Sequence, residues 1–490
     1  MAGKELIFSG TPYEHQRRVV TQRWRERFWG FLFEPGTGKS YTVIMNFANL
    51  YLAGECDAVL YFAKKGEYAN FPQYQIPEHM PANVAYKCWT YTGYATSRHV
   101  TTIKEALAPR PELRILCMNY ESIRSGKGFE IAKAFLRTTR KAMIVADEST
   151  AIKDHRSAQY KAMQQLRPYA RYARIMTGTL ITRTPVDIFN QSRFLDKYAM
   201  GFSGLTAFRT EFEAKETVFL GQRRFEKLAG IQNSEELRRR LRTFADVIRK
   251  EDCLDLPEKV YKRHVVPITK EQAQLYAEFV NFAIAEIDGE IVEAVNALSV
   301  MSKLHQIICG QIRMPDGSYR RIKSYRPEYT SDLIGEILSQ EPKVVLWSHF
   351  RETTAALHEH LVKLGYGVIY MQAGLKTEER VQLIDRYKTE PGSQVFLANP
   401  ASSGFGITLT EARSTIYFSN SDNFEHRLQS EDRTHRIGQK LSCLYYDMHS
   451  PGTVEDAILQ RNVDKGEMRS SIMTKDEFVS LIELRDPLVE

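Results

Sequence analysis

The chain contains no stretch approaching the roughly 18 consecutive apolar residues that a membrane-crossing helix needs, so a spanning role is excluded. Cysteine is scarce. Cys56, Cys88, Cys117, Cys253, Cys309 and Cys443 lie singly, with no CxxC pair, so neither a thiolate metal centre nor a disulfide framework is expected and a reducing, cytoplasmic setting fits best. The charged N-terminus, Met1 to Leu6, has no apolar segment behind it, and no signal peptide is expected. Repeats, low-complexity tracts and long Gly/Ser linkers are missing too. Excess charge is small: 67 Lys and Arg stand against 60 Asp and Glu, a net +7 that permits a polyanionic partner without requiring one. What is present is a globular composition, 43% hydrophobic and 11% aromatic, over 490 residues, enough for about three domains with cores of their own.

Short apolar runs bounded by polar or turn residues mark buried parallel strands: 28–33, 59–63, 115–118 and 143–146, then 344–348, 367–370, 394–398, 415–418 and 441–446. Helical patterns such as 41–52, 352–364 and 377–388 alternate with them. The pattern predicts an α/β chain with two doubly wound parallel-sheet domains, over 1–195 and 330–460. A mainly helical, basic region over 196–329 lies between them, and a helical tail over 461–490 follows. The middle region holds Arg238-Arg239-Arg240-Leu241-Arg242 and a hairpin signal at Asp316-Gly317 flanked by Arg313, Arg320, Arg321 and Lys323. It could grip nucleic acid or be a solvated helical face.

Gly36-Thr37-Gly38-Lys39-Ser40 falls where the first strand meets the first long helix. Backbone N–H groups of such a turn cradle phosphates, with Lys39 reaching the β/γ-phosphates and the Ser40 hydroxyl ligating Mg²⁺. The strict pattern places Gly at position 33, which is Phe here. Asp147-Glu148 ends the strand 143–146. Beside a phosphate loop, Asp147 would hold Mg²⁺ and Glu148 would orient or deprotonate an attacking water. Arg433 and Arg436, three apart, are expected on one helical face, either directed at a γ-phosphate or ion-paired with Glu431 and Asp432.

Taken in order, GTGKS (36–40), DEST (147–150), TGT (177–179), a glycine-rich turn and QSEDRTHRIGQ (429–439) resemble the superfamily 2 helicases, and more narrowly the Swi/Snf branch of DNA-dependent ATPases. The most diagnostic stretch is Ala401 to Ala412 followed by Asp432 to Gln439, and the resemblance runs from about residue 10 to 460. It implies two RecA-like domains, with ATP and Mg²⁺ between Lys39, Ser40, Asp147 and Glu148 on one side and Gln429, Arg433 and Arg436 on the other. It further implies that Gln16 reads adenine and that Gly36, Thr37, Gly38 and Gly406 contact the nucleotide. Thr177, Gly178 and Thr179 would couple hydrolysis to domain movement. Lys64, Lys65, Asn119, Tyr120, Ser348, Ser402, Ser403 and Thr408 would touch the nucleic-acid backbone.

The resemblance is imperfect at named positions. Thr150 replaces the usual histidine of the acidic motif, Leu180 a proline, and Asp422 and Phe424 the aromatic and proline that precede the arginine segment. It implies a compact member of bacterial or phage type, an ATP-dependent translocase acting on duplex or branched DNA, branch migration included. Two alternatives stay open: an RNA helicase, against which the Arg-Ile-Gly-Gln ending argues, and an ATP-switched motor subunit needing a protein partner.

Overall fold

The computed structural model describes residues 6–489, apart from 65–67, 69–70, 94–96, 125, 179–184, 221–222, 254, 286–290, 315, 402–406, 422 and 464–471. Its contacts divide the chain into two α/β units, 1–214 with 230–255 and 215–229 with 256–490.

The first unit is built on β1 (Phe28–Phe33), β2 (Ala58–Ala63), β3 (Tyr86–Thr90), β4 (Leu113–Asn119), β5 (Ala142–Ala146), β6 (Tyr172–Met176) and β7 (Ala245–Ile248). They form one sheet in the order β3-β4-β2-β5-β6-β1-β7, with every neighbouring pair parallel. Alternation along each strand feeds two cores. Ala58, Leu60 and Phe62 enter one and Val59, Tyr61 and Ala63 the other; Ile144 and Val145 part in the same way. Because both faces are covered by helices, these strands read as continuous apolar runs rather than alternating ones. In this order the C-terminal ends of β5, β6 and β1 are adjacent, and the three motifs of the unit follow those ends.

The second unit carries β8 (Lys259–Val265), β9 (Val344–Trp347), β10 (Val368–Met371), β11 (Val395–Ala398), β12 (Ser414–Tyr417) and β13 (Cys443–His449). Their order is β8-β13-β12-β9-β11-β10, again parallel throughout. Val344 and Leu346 face one core, Val345 and Trp347 the other. The region 196–329 is less helical than its pattern suggests, since β7 and β8 lie within it and each edges one of the two sheets. A sequence such as Lys259-Val-Tyr-Lys-Arg-His-Val265 suits an edge, where charged side chains remain in water. The signal at Asp316-Gly317 does form a hairpin, Gln311–Arg313 against Tyr319–Arg321. Toward the C-terminus, helix Val454–Val463 is followed by Ile472–Thr474, a short strand paired with Ile291–Glu293, and by helix Lys475–Ile482.

Candidate functional site

Gly38 precedes helix Lys39–Leu52 in the left-handed region at φ 87° and ψ 38°, and Gly36 also has φ 87°. Only glycine adopts this readily, and a Cβ on Gly38 would in addition lie 1.9 Å from Gln16 Nε2. The side chains of His15 and Gln16 sit against the loop: His15 Nε2 is 2.8 Å from the Thr37 carbonyl oxygen, and Gln16 Nε2 donates to the same oxygen at 3.3 Å. His15 was not singled out in the sequence, although it adjoins Gln16. Lys39 Nζ donates to the Phe33 carbonyl at 2.8 Å. Position 33 therefore serves the loop through its backbone while its side chain lies in the core, which explains why phenylalanine is acceptable where the strict pattern has glycine.

Asp147 and Glu148 follow β5. Tyr61 on the neighbouring β2 donates its hydroxyl to Asp147 Oδ2, Glu148 N donates to Asp147 Oδ1 at 2.9 Å, and Tyr120 OH donates to the Asp147 carbonyl at 2.6 Å. Tyr61 carried no signal in the sequence, because the β2–β5 pairing that brings it to Asp147 is long-range. Burial, then the Glu148 charge, push the Asp147 carboxyl up to about 6, while the Tyr61 hydrogen bond and the Lys39 ammonium pull it down. The Lys39 ammonium thus acts on the Asp147 carboxyl. Glu148 sits at φ 46°, a left-handed conformation that is uncommon for a non-glycine residue and recurs at functional positions. Thr150 is buried, and among the described residues its Oγ1 has no hydrogen-bond partner.

Thr177 is fully buried at the end of β6, its N–H donating to the Phe31 carbonyl at 3.4 Å. Gly178 packs on Pro35 of the phosphate loop. The segment after β6 and the glycine-rich loop after β1 are therefore neighbours, although Thr179 lies outside the described residues. So do Lys65, Ser402, Ser403 and Gly406. Lys64 is half-buried at the end of β2. Asn119 caps the turn Tyr120–Arg124, accepting from Ser122 N at 2.8 Å. Tyr120 is 1% exposed and its ring stacks on Phe62, so this side chain belongs to the interior.

In the second unit Ser348 ends β9 with its hydroxyl buried and, among the described residues, without a hydrogen-bond partner. Gln429 lies half-buried on helix Phe424–Glu431. That helix stops before the arginines, which corrects the expectation of a shared helical face. Its last carbonyl, of Glu431, accepts from Thr434 Oγ1 at 3.2 Å and Tyr445 OH at 3.1 Å, and the chain continues in turns. Glu431 is not a partner of the arginines that follow. Its carboxylate accepts from Arg427 Nε at 2.7 Å, Lys259 Nζ at 2.8 Å and Tyr261 OH at 2.9 Å. Arg433 and Arg436 instead hold the preceding glycine-rich segment: Leu409 N donates to the Arg433 carbonyl at 2.8 Å and Arg436 Nη1 to Thr408 Oγ1 at 3.1 Å. The two stretches most diagnostic in the sequence are in direct contact.

The profile of the SNF2-related domain matches residues 62–312, just over half of the chain. The chain belongs to that family. A helicase conserved C-terminal domain matches 328–438. The SNF2-related match begins after the glycine-rich loop, so the phosphate-binding assignment stands on the loop's own geometry. An uncharacterized ATP-dependent helicase of Mycoplasma genitalium is 24% identical over 364 residues, covering 74% of this chain and 33% of that protein. The human DNA repair and recombination protein RAD54-like is 22% identical over 414 residues, 76% of this chain and 53% of its own. The chain thus spans about a third to a half of the length of these relatives. A Sulfolobus solfataricus SWI2/SNF2 ATPase core in complex with dsDNA aligns over 98% of this chain and 100% of that one, at 20% identity and a TM-score of 0.43.

Proposed function

We propose that this SNF2-family chain hydrolyses ATP and couples hydrolysis to movement along, or remodelling of, duplex or branched DNA. The observation that carries the reading is the meeting of a phosphate loop with an acidic pair: the two follow the C-terminal ends of β1 and β5, on either side of β6 in one parallel sheet, and the Lys39 ammonium offsets part of the upward push that burial and Glu148 give the Asp147 carboxyl. The loop fits a polyphosphate, since Gly36 and Gly38 leave it no side chain at two positions and a helix N-terminus lies behind it. Ser40 and Asp147 offer the oxygen donors that Mg²⁺ prefers. When bound there, Mg²⁺ would neutralise phosphate charge.

Lys39 would leave the Phe33 carbonyl for the β/γ-phosphates, Glu148 would take the proton of the attacking water, and Arg433 and Arg436 would supply the further positive charge that the transferring phosphoryl group needs. Gly178 on Pro35 gives the loop a physical link to the segment that follows β6. Two relatives point to ATP and DNA by name, one an ATP-dependent helicase and the other a DNA repair and recombination protein. Contacts would fall on the sugar-phosphate backbone, with affinity that declines as salt rises and little preference for sequence.

The test is ATP turnover on a panel of duplex, forked, four-way-junction and single-stranded DNA and single-stranded RNA, paired with strand displacement. Stimulation by duplex or branched DNA supports the reading. Stimulation by RNA alone would transfer the chain to the RNA helicases.

A further inference from the structure

The hairpin Gln311–Arg313/Tyr319–Arg321 takes no part in the nucleotide site and is built as a projecting element with a fixed base. At the base, Ile322 is buried among Ile268, Leu304, Ile307 and Ile308, Ile322 N donates to the Gly310 carbonyl at 2.9 Å, and Thr269 Oγ1 donates to the Lys323 carbonyl at 3.1 Å. At the tip, Met314 N donates to the Ser318 carbonyl at 2.8 Å, Asp316 Oδ1 accepts from Ser318 N at 2.9 Å, and Gly317 supplies the left-handed turn residue. These bonds hold the turn within itself, and Arg313, Tyr319, Arg320 and Arg321 of the strands are exposed.

Register decides which of those side chains share a face. Arg313 pairs with Tyr319 and Gln311 with Arg321, so Arg313, Tyr319 and Arg321 stand on one face, with Ile312 and Arg320 on the other. Tyr319 is 45% exposed although it is a large aromatic residue. Among the described residues Arg313 makes no ion pair. Arg321 and Arg320 reach Glu359 and Glu271 only through solvent-exposed pairs at 3.0 Å and 3.1 Å, which a phosphate can replace at little cost. From Gln311 to Lys323 there are four basic residues and one acidic one. A half-exposed aromatic ring between two guanidinium groups, on a strand face, suits a base flanked by its phosphates and suits no apolar partner.

We propose that this hairpin is a nucleic-acid contact in which Tyr319 stacks on an unpaired base while Arg313 and Arg321 bind the phosphates of the same strand. The inference rests on the DNA-motor reading for its biological sense and gives that motor a grip on single-stranded DNA beside a duplex. No chemistry is required of the hairpin; it positions a strand.

The experiment is a binding titration of the full chain with a labelled single strand, the matching duplex and a fork with two unpaired arms, without nucleotide and at several salt concentrations. Tyr319→Ala is expected to weaken single-strand and fork binding about ten-fold, within the range for loss of one stacked base. Tyr319→Phe, which keeps the ring, should bind as the parent does. Arg313→Ala and Arg321→Ala should each lower the slope of log affinity against log salt by about 0.7 on the single strand. Duplex binding and duplex-stimulated ATP turnover should be unchanged in all of these variants, since the hairpin is outside the nucleotide site. Unaltered single-strand binding by Tyr319→Ala, or an equal loss in Tyr319→Phe, overturns the proposal. The titration needs no hydrolysis, so an absence of DNA-stimulated turnover in the parent protein would sink the motor reading and leave the hairpin to be judged by its own result.

Discussion

Gly178 and Pro35 are packed so closely that a Cβ on the glycine would stand 2.6 Å from the proline Cδ and 2.9 Å from its Cγ. A proline ring cannot swing aside as the end of a long side chain can. The segment after β6 and the loop after β1 are therefore in tight contact at this point.

Gly178→Ala should push the loop off its seat. Overpacking of this kind typically destabilises by about 1–3 kcal/mol, and here the strain falls on the nucleotide loop. We expect a modest fall in thermal stability with a larger fall in nucleotide affinity, measured by unfolding and by a fluorescent-nucleotide titration. Parent-like nucleotide affinity in the variant would show that the contact is incidental.

Glu148→Gln keeps the shape of the side chain and removes its basicity. Nucleotide binding should persist, and turnover should fall by roughly 10²–10⁴, the usual worth of a positioned general base. Loss of nucleotide binding along with turnover would instead make Glu148 a structural residue or a metal ligand.

How much of this could be read beforehand differs from residue to residue. The phosphate loop, the acidic pair and the central strands were legible because a parallel strand covered on both faces must be apolar throughout, as Val59 to Ala63 and Met143 to Ala146 are. Tyr172–Met176 was not, because Arg174 interrupts it. That guanidinium is fully buried, bonded to Asn46 Oδ1 at 2.9 Å and to the Glu26 carbonyl at 2.8 Å, partners far away in sequence. The edge strands β7 and β8 were hidden by their polar faces. Spacing alone placed Arg433 and Arg436 on a helix; the helix ends at Glu431, and part of the bonding to its last carbonyl comes from Tyr445 on β13, a distant partner that no local pattern announces.

A buried cluster in the second unit gives a pH-dependent expectation. Arg326 donates to Glu455 at 2.7 Å and 2.6 Å, and His305 Nε2 lies 3.1 Å from the same carboxylate. Burial opposes the imidazolium, but Cys309 and Glu455 outweigh it and raise His305 to about 9. A folded-state pKa above the ordinary 6.5 contributes stability that is fully present below about pH 6.5 and is lost as the pH rises through about 9. Urea unfolding across that interval should show a decline of roughly 1–3 kcal/mol, and His305→Gln should flatten it. An equally steep decline in the variant would assign the effect to other groups.

Arg436→Ala removes a charge that is held on Thr408. Nucleotide binding should survive, while DNA-stimulated turnover should fall by about 10³ or more if the arginine acts on the transferring phosphoryl group. Arg436→Lys should rescue poorly, because an ammonium cannot reproduce the planar fork. Full stimulated turnover in Arg436→Ala would reduce this arginine to a brace for the Thr408 segment.

The most direct measurement is ATP turnover of the purified chain with and without duplex DNA, beside Lys39→Ala confirmed as folded by circular dichroism. Lys39 is half-buried and its Nζ bonds to the Phe33 carbonyl, a backbone group at the loop, so its loss should leave the structure intact. The account predicts turnover that rises on adding DNA in the parent chain and is abolished in the variant in either condition. Turnover in Lys39→Ala equal to the parent's, or a parent chain that DNA does not stimulate, would contradict it.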